Sequence, residues 1–304
     1  MNRILMKRFS IALGLCAGLA FSGMSLAAEP ASFPSADAAA TALVTAVEKN
    51  DDAELARILG SQWRIYIPTG DIDPADVETF LSAYKEGHKI VEDSGKSHIS
   101  VGKAGWTMPI PIVKKGSGWT FDVVAGREEM RVRTIGRHEL DAQQAILAFY
   151  DAERDYATED RNGDGIHEYA QKFFSAPGKH DGLYWETKEG EPNSPLGPLF
   201  AEGAAPTGNG EGYHGYHYRI LTSQGPSAPG GAYNYIVGGR MRSGFAAIAW
   251  PISYGQSGVM SFMVSHDGIV FEKDLGKGTA AAAEAMKTFN PDDSWHEDDD
   301  LGKD

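Results

Sequence analysis

The only cysteine in this 304-residue chain, Cys16, lies inside an apolar run near the start. If that run is removed, what remains has no thiol: no disulfide can staple it, no thiolate can hold a metal, and no cysteine nucleophile can act. Its fold must be held by burial and hydrogen bonding alone. The run has the flanks of an export leader. Arg3, Lys7 and Arg8 precede the apolar stretch Ile11 to Phe21, and small residues close it at Ser25-Leu26-Ala27-Ala28. The stretch is shorter than the roughly 20 apolar residues a membrane-spanning helix needs. The expectation is a cleaved signal peptide over 1–28, periplasmic or secreted localisation, and no transmembrane anchor after cleavage. Lipidation at Cys16 is the alternative, but it wants a small residue in front of the cysteine, where Leu15 stands.

Charge narrows the partners. The chain carries 28 basic and 42 acidic residues, a net charge of −14. Losing Arg3, Lys7 and Arg8 with the leader deepens it to −17. Such a balance repels phosphate backbones and anionic lipid, so the expectation is no nucleic acid and no membrane surface. It favours cations weakly, and a solvated acidic surface explains it equally well.

Hydrophobic periodicity changes several times along the chain. From Ser35 to Leu59, Ala39, Leu43, Val44 and Val47, then Leu55, Ile58 and Leu59, recur at helical spacing, with Asn50-Asp51-Asp52 as break and cap. Asp73-Pro74 opens a helix expected to reach about Val91. His98–Val101, then two β-rich runs, Trp106–Val113 and Trp119–Val124, around Lys114–Gly118, predict a hairpin. A long helix is expected from about Arg127 to Tyr156, open to interruption at Gly136. Turn chemistry dominates Asp160 to Gly212. Strands are then expected at Tyr216–Thr222, Tyr233–Val237, Gly244–Trp250, Val259–Val264 and Ile269–Glu272, joined by short connections. An Ala-rich helix over Thr279–Phe289 precedes an acidic end. The fold class read from this is α+β: helices on a small antiparallel sheet, a long connecting helix, then a loop-rich antiparallel β meander. The divisions are 29–126, 127–290 and an acidic disordered tail over 291–304.

The segments Asp160 to Ala170, Pro177 to Trp185, Ser194-Pro195-Leu196-Gly197-Pro198, Tyr216 to Leu221 and Tyr254 to Met260 resemble an exported bacterial family known as domain of unknown function 2950. Phe33–Gly60 and Ile135–Tyr156 are also similar to it. The resemblance brings no activity. A looser likeness links the second half to the globular part of pilins and pseudopilins, although a cleavable leader is not a filament-packing helix. The opening helix–helix–helix–strand order is similar to the NTF2-like fold, which by itself carries no function.

Asp160-x-Asn162-x-Asp164-Gly165 places oxygen side chains at alternate positions with glycine sixth, as a calcium loop requires. The twelfth position is Gln171, so a full EF-hand is excluded, and Glu168 is the remaining candidate ligand. The expected cofactor is at most calcium on Asp160, Asn162, Asp164 and Glu168; the other reading is a metal-free turn held by side-chain bonds to backbone amides. His138-Glu139 and His167-Glu168 lack the second histidine of a zinc helix, since Ala142 and Gln171 stand there. His180 and Asp181, among Gly178, Gly182 and Trp185, are the catalytic candidates, as base and carboxylate, against a plain structural loop. His214 and His217 fall on opposite faces if their run is a strand. The elbow Gly-x-Ser-x-Gly and the phosphate loop are incomplete at Gly255–Gly258 and Ser94–Ser97. Tyr184, Trp185, Tyr213, Tyr216, Tyr218, Tyr233, Tyr235, Trp250 and Tyr254 read as sheet packing or as a ligand groove. The functional expectation is a non-enzymatic envelope protein that binds a partner protein or cell-wall component. The rival is a secreted hydrolase using His180 and Asp181 with a carboxylate from the Asp160 loop.

Overall fold

The computed structural model describes residues 28–67, 72–187, 190–204 and 212–298. The expected leader lies almost wholly outside them. The chain divides into two compact units after Val123; the periodicity alone put the change near residue 126.

In the first unit α1 (Ala36–Glu48) buries Ala36, Ala39, Ala40, Leu43, Val44 and Ala46, and its first turn is capped by the Ser35 hydroxyl, which accepts from Ala38 N–H. Asp51 caps α2 (Asp52–Leu59) in the same way through Glu54 N–H. A short α3 (Trp63–Tyr66) follows, then α4 (Pro74–Glu86), whose Asp73 cap accepts from Ala75 N–H. This last helix stops five residues before the expected end. Gly87 is extended, and His88–Asp93 forms strand β1, paired with β2 (Lys96–Val101). Ser94 and Gly95 join them with φ of 50° and 77°, the double left-handed turn that matches strand twist. The segment Trp106–Val113 is not one strand. Only β3 (Trp106–Thr107) and β4 (Ile112–Lys115) pair, because Pro109 and Pro111 offer no N–H to a ladder. The hairpin from β4 to β5 (Gly118–Phe121) forms as expected.

The second unit is built on α5, a 34-residue helix from Val123 to Tyr156 that runs through Gly136 without a break. Ala142, Ala145, Ile146, Phe149, Ala152, Glu153 and Tyr156 form its buried stripe. Its last turn is closed by Thr158 Oγ1 donating to Asp155 carbonyl and by His167 Nδ1 at 3.0 Å from Ala157 carbonyl. The expected loop stretch contains α6 (Pro198–Ala204), which turn chemistry concealed. Strand β6 (Tyr216–Leu221) leads into a detour of four two-residue strands, β7 (Ser223–Gln224), β8 (Tyr233–Asn234), β9 (Ile236–Val237) and β10 (Arg240–Met241). The main sheet is completed by β11 (Ala246–Pro251), β12 (Met260–Ser265) and β13 (Val270–Asp274). Buried along its whole length, β11 lies between β6 and β12, and every pairing in this sheet is antiparallel.

Helix α7 covers only Thr279–Ala285; Thr288–Phe289 beyond it is strand β14, parallel to β7. The guanidinium of Arg219 on β6 donates to the carbonyls of Ala283, Glu284 and Met286, closing that helix end. The expectation of a disordered tail from 291 fails for residues 291–298. Trp295 is buried, and β15 (His296–Glu297) adds an edge to the main sheet against β13. One tryptophan anchor outweighs the solvation of the surrounding acids. The fold is α+β, with a long helix and antiparallel sheets.

Candidate functional site

The C-terminal turn of α5, the Asp160 loop and the loop over 174–185 are tied together by two side chains of the helix. Glu153 is fully buried, and its Oε2 accepts from Ala170 N–H at 2.8 Å. Its other oxygen has no hydrogen-bond partner, and burial pushes its pKa well above the carboxylate range, against the pull of Ala170 N–H. Tyr156, also buried, donates its hydroxyl to His180 carbonyl at 2.7 Å. Burial raises the Tyr156 pKa, and the charges of Glu168, Glu153 and Asp181 add to the shift.

The Asp160 loop closes on itself. Asp160 Oδ1 accepts from the N–H of Gly163 and Asp164, and Oδ2 from Gly165 N–H at 2.7 Å. These bonds, Gly165 first, hold the Asp160 pKa below its usual value. Asn162 Oδ1 accepts from Asp164 N–H, and Asp164 Oδ1 from Ile166 N–H. The free oxygen of Asp164 pairs with Arg240 on β10. Glu168 Oε1 accepts from Asn162 Nδ2, while Glu168 Oε2 is buried without a partner. Burial, then the facing Asp164, raises the Glu168 pKa. Among the described residues no three His, Cys, Asp or Glu side chains converge as a metal site. The four expected calcium ligands lie in one loop without converging, their oxygens, Glu168 Oε2 apart, taken up by backbone N–H groups, by Asn162 and by Arg240.

His180 and Asp181 line one concavity of about 510 Å³ with Arg161, Asn162, Gly178 and Lys179. Their side chains turn to different partners. Asp181 Oδ2 accepts from Lys172 Nζ and Oδ1 from Ala176 N–H, each at 2.8 Å. Burial works against its charged form, but these bonds prevail and hold the Asp181 pKa below the usual range. The His180 ring instead stacks on Trp185, centroids 4.3 Å apart at 23°. The turn between them depends on Gly182, where a Cβ would lie 2.7 Å from Phe174 backbone carbon. Neither Asp160 nor Asp164 nor Glu168 is part of the lining, so the Asp160-loop carboxylate expected to complete a hydrolase site is absent from this concavity.

His214 and His217 share nothing. His214, with φ of 50°, faces Asp141 at 3.4 Å at a largely apolar cavity of about 460 Å³ that includes Ala145, Leu196 and Phe200. His217 lies on β6 near Trp250. His138 and Glu139 act as clamps on the Tyr254–Met260 turn: His138 Nδ1 is 3.0 Å from Ser257 carbonyl, and Glu139 Oε1 accepts from Val259 and Met260 N–H. Most of the aromatic set, including Trp185, Tyr216, Tyr218, Tyr235 and Trp250, is buried and packs the unit. The residues that sequence reasoning missed are Glu153, Arg161 and Arg240. Glu153 alone carried a signal, as an acid on the apolar stripe of a helix.

A family model described as "Protein of unknown function (DUF2950)" matches residues 30–297. No curated protein and no solved structure matches the chain, and the likenesses to pilins and to the NTF2-like fold gain no support.

Proposed function

The chain belongs to the DUF2950 family, whose description names no activity, and from its own side chains we propose that it is a non-enzymatic binding protein of the cell envelope. The binding site in this proposal is the concavity at Arg161, Asn162 and Gly178–Asp181, and the ligand is a cell-wall component or an envelope protein. One observation carries the proposal: the Asp181 carboxylate is engaged by Lys172 and Ala176, and His180 is stacked on Trp185. In a triad-type site a carboxylate orients the histidine base, and here the Asp181 carboxylate is bonded to Lys172 and Ala176 N–H instead. What remains is a polar hollow, with Trp185 stacked against His180 of its lining, which suits recognition. Export through a leader over 1–28 is part of the proposal and rests on the order of charged, apolar and small residues. The test is to incubate the leader-free chain with peptidoglycan, peptide and ester substrates, and separately with isolated cell-wall sacculi. Saturable binding without product supports the proposal. Turnover abolished by a single substitution of His180 or Asp181 defeats it in favour of the hydrolase.

A calcium ion in the Asp160 loop is a second reading, favoured by one specific atom. Glu168 Oε2 is buried without a donor and faces the charge of Asp164, so a cation there would relieve both. Calcium would have to displace Arg240 from Asp164. Melting curves in calcium and in chelator test it.

A further inference from the structure

The hollow at Arg161 carries basic side chains on a strongly acidic chain. Arg161 lines it with Lys179 and His180, and Asn162 adds a side-chain amide. The Arg161 side chain is 9% exposed, paired with Glu159 at 3.2 Å and Asp155 at 3.7 Å. Its Nε is nevertheless buried without an acceptor. A buried guanidinium N–H left unpaired costs free energy that an incoming acceptor removes. Lys179 is exposed and has no ion-pair partner among the described residues, whereas Asp181, the one carboxylate of the lining, is already neutralised by Lys172. The Arg161 guanidinium also lies 5.7 Å from the Trp185 ring on which the His180 ring stacks, so the two side chains share one aromatic platform.

We propose that this hollow binds an oxyanion, the carboxylate or phosphate group of a small ligand or of a cell-wall component. The proposal rests on the reading of the same hollow as a binding site and names its ligand chemistry. Arg161 supplies the planar guanidinium donors, Lys179 a mobile charge, and Asn162 and His180 the sides of the cradle. The volume of about 510 Å³ leaves room for the body of a ligand beside the charged group.

The experiment is a heteronuclear NMR titration of the leader-free chain with inorganic phosphate, with acetate and with neutral N-acetylglucosamine. Saturable shifts of the Gly178 and His180 amides and the Trp185 indole on adding either anion support the proposal, and the tighter anion identifies the source. Lys179→Gln, at an exposed position, weakens that binding by about 3–10-fold, as loss of one screened charge should. Arg161→Lys keeps the charge, loses the planar guanidinium donors and weakens it further; His180→Gln serves if that variant does not fold. Shifts at these residues with the neutral sugar alone overturn the oxyanion assignment and leave the binding reading standing. Anion shifts unchanged in Lys179→Gln and His180→Gln also overturn it, as does silence from both anions in a folded protein.

Discussion

Asp181 Oδ2 accepts a hydrogen bond from Lys172 Nζ at 2.8 Å, and this bond separates a loop brace from a catalytic dyad. Asp181→Asn keeps an acceptor for Ala176 N–H and loses only the partly exposed ion pair, so a loss of stability under about 1 kcal/mol is expected. Asp181→Ala strands the amide as well and should cost about 1–3 kcal/mol. The folded-state pKa of Asp181 is lowered from 3.8. Its contribution is therefore present above that unfolded value and is lost as pH falls through the folded one. Urea unfolding should show the wild type and Asp181→Asn differing at neutral pH and converging in acid. A gap that persists in acid would contradict this role.

Glu153 runs the other way. Its folded-state pKa lies well above 4.5 because the carboxyl is buried. Below pH 4.5 both states hold the proton and the contribution is fully present; it falls as pH rises through the folded value, because folding must then take up a proton. Glu153→Gln keeps the shape and the acceptor for Ala170 N–H without that requirement. Thermal melts should show the variant matching the wild type near pH 4 and exceeding it at pH 8. A variant less stable at both pH values would contradict the assignment.

In the Asp160 loop Arg240 and calcium compete for Asp164. If calcium binds, millimolar calcium, on the order of the affinity of extracellular modules, should raise the melting temperature by several degrees over chelator. Arg240→Ala should enlarge that difference. Coincident curves for both proteins would remove calcium and leave the arginine as the brace.

Glu139 holds the Tyr254–Met260 turn through two backbone amides. Glu139→Ala leaves Val259 and Met260 N–H without their acceptor, and an unfolding loss of about 1–3 kcal/mol is expected. Glu139→Gln should recover most of it. Hydrogen exchange at Met260 would report the same loss locally, and unchanged protection there would rule out the clamp.

The elements legible in the sequence were those with strong local signals: Asp51 and Asp73 as helix caps, the extent of α5, and the hairpin across Lys115 and Gly118. The errors came where tertiary contacts overrode local pattern. The strand His88–Asp93 was absorbed into a helix because Ile90 and Val91 continue its apolar spacing, and only Gly87 marks the change. The folded segment 291–298 was hidden because composition weighs its acids and not the docking of Trp295. At the site, Asp160, Asn162, Asp164 and Glu168 were grouped as one loop because they lie within nine positions. The Asp181–Lys172 pair was missed because a carboxylate's partner depends on how a loop folds back, and Arg240 because it lies 76 residues from Asp164.

The most direct test of recognition without chemistry at the His180 hollow is a single assay pairing sacculus binding with product release, run on the wild type and on His180→Gln. The expected result is saturable binding by the wild type, weakened in the variant, with no fragments released by either. Fragments released by the wild type and lost in His180→Gln would contradict it.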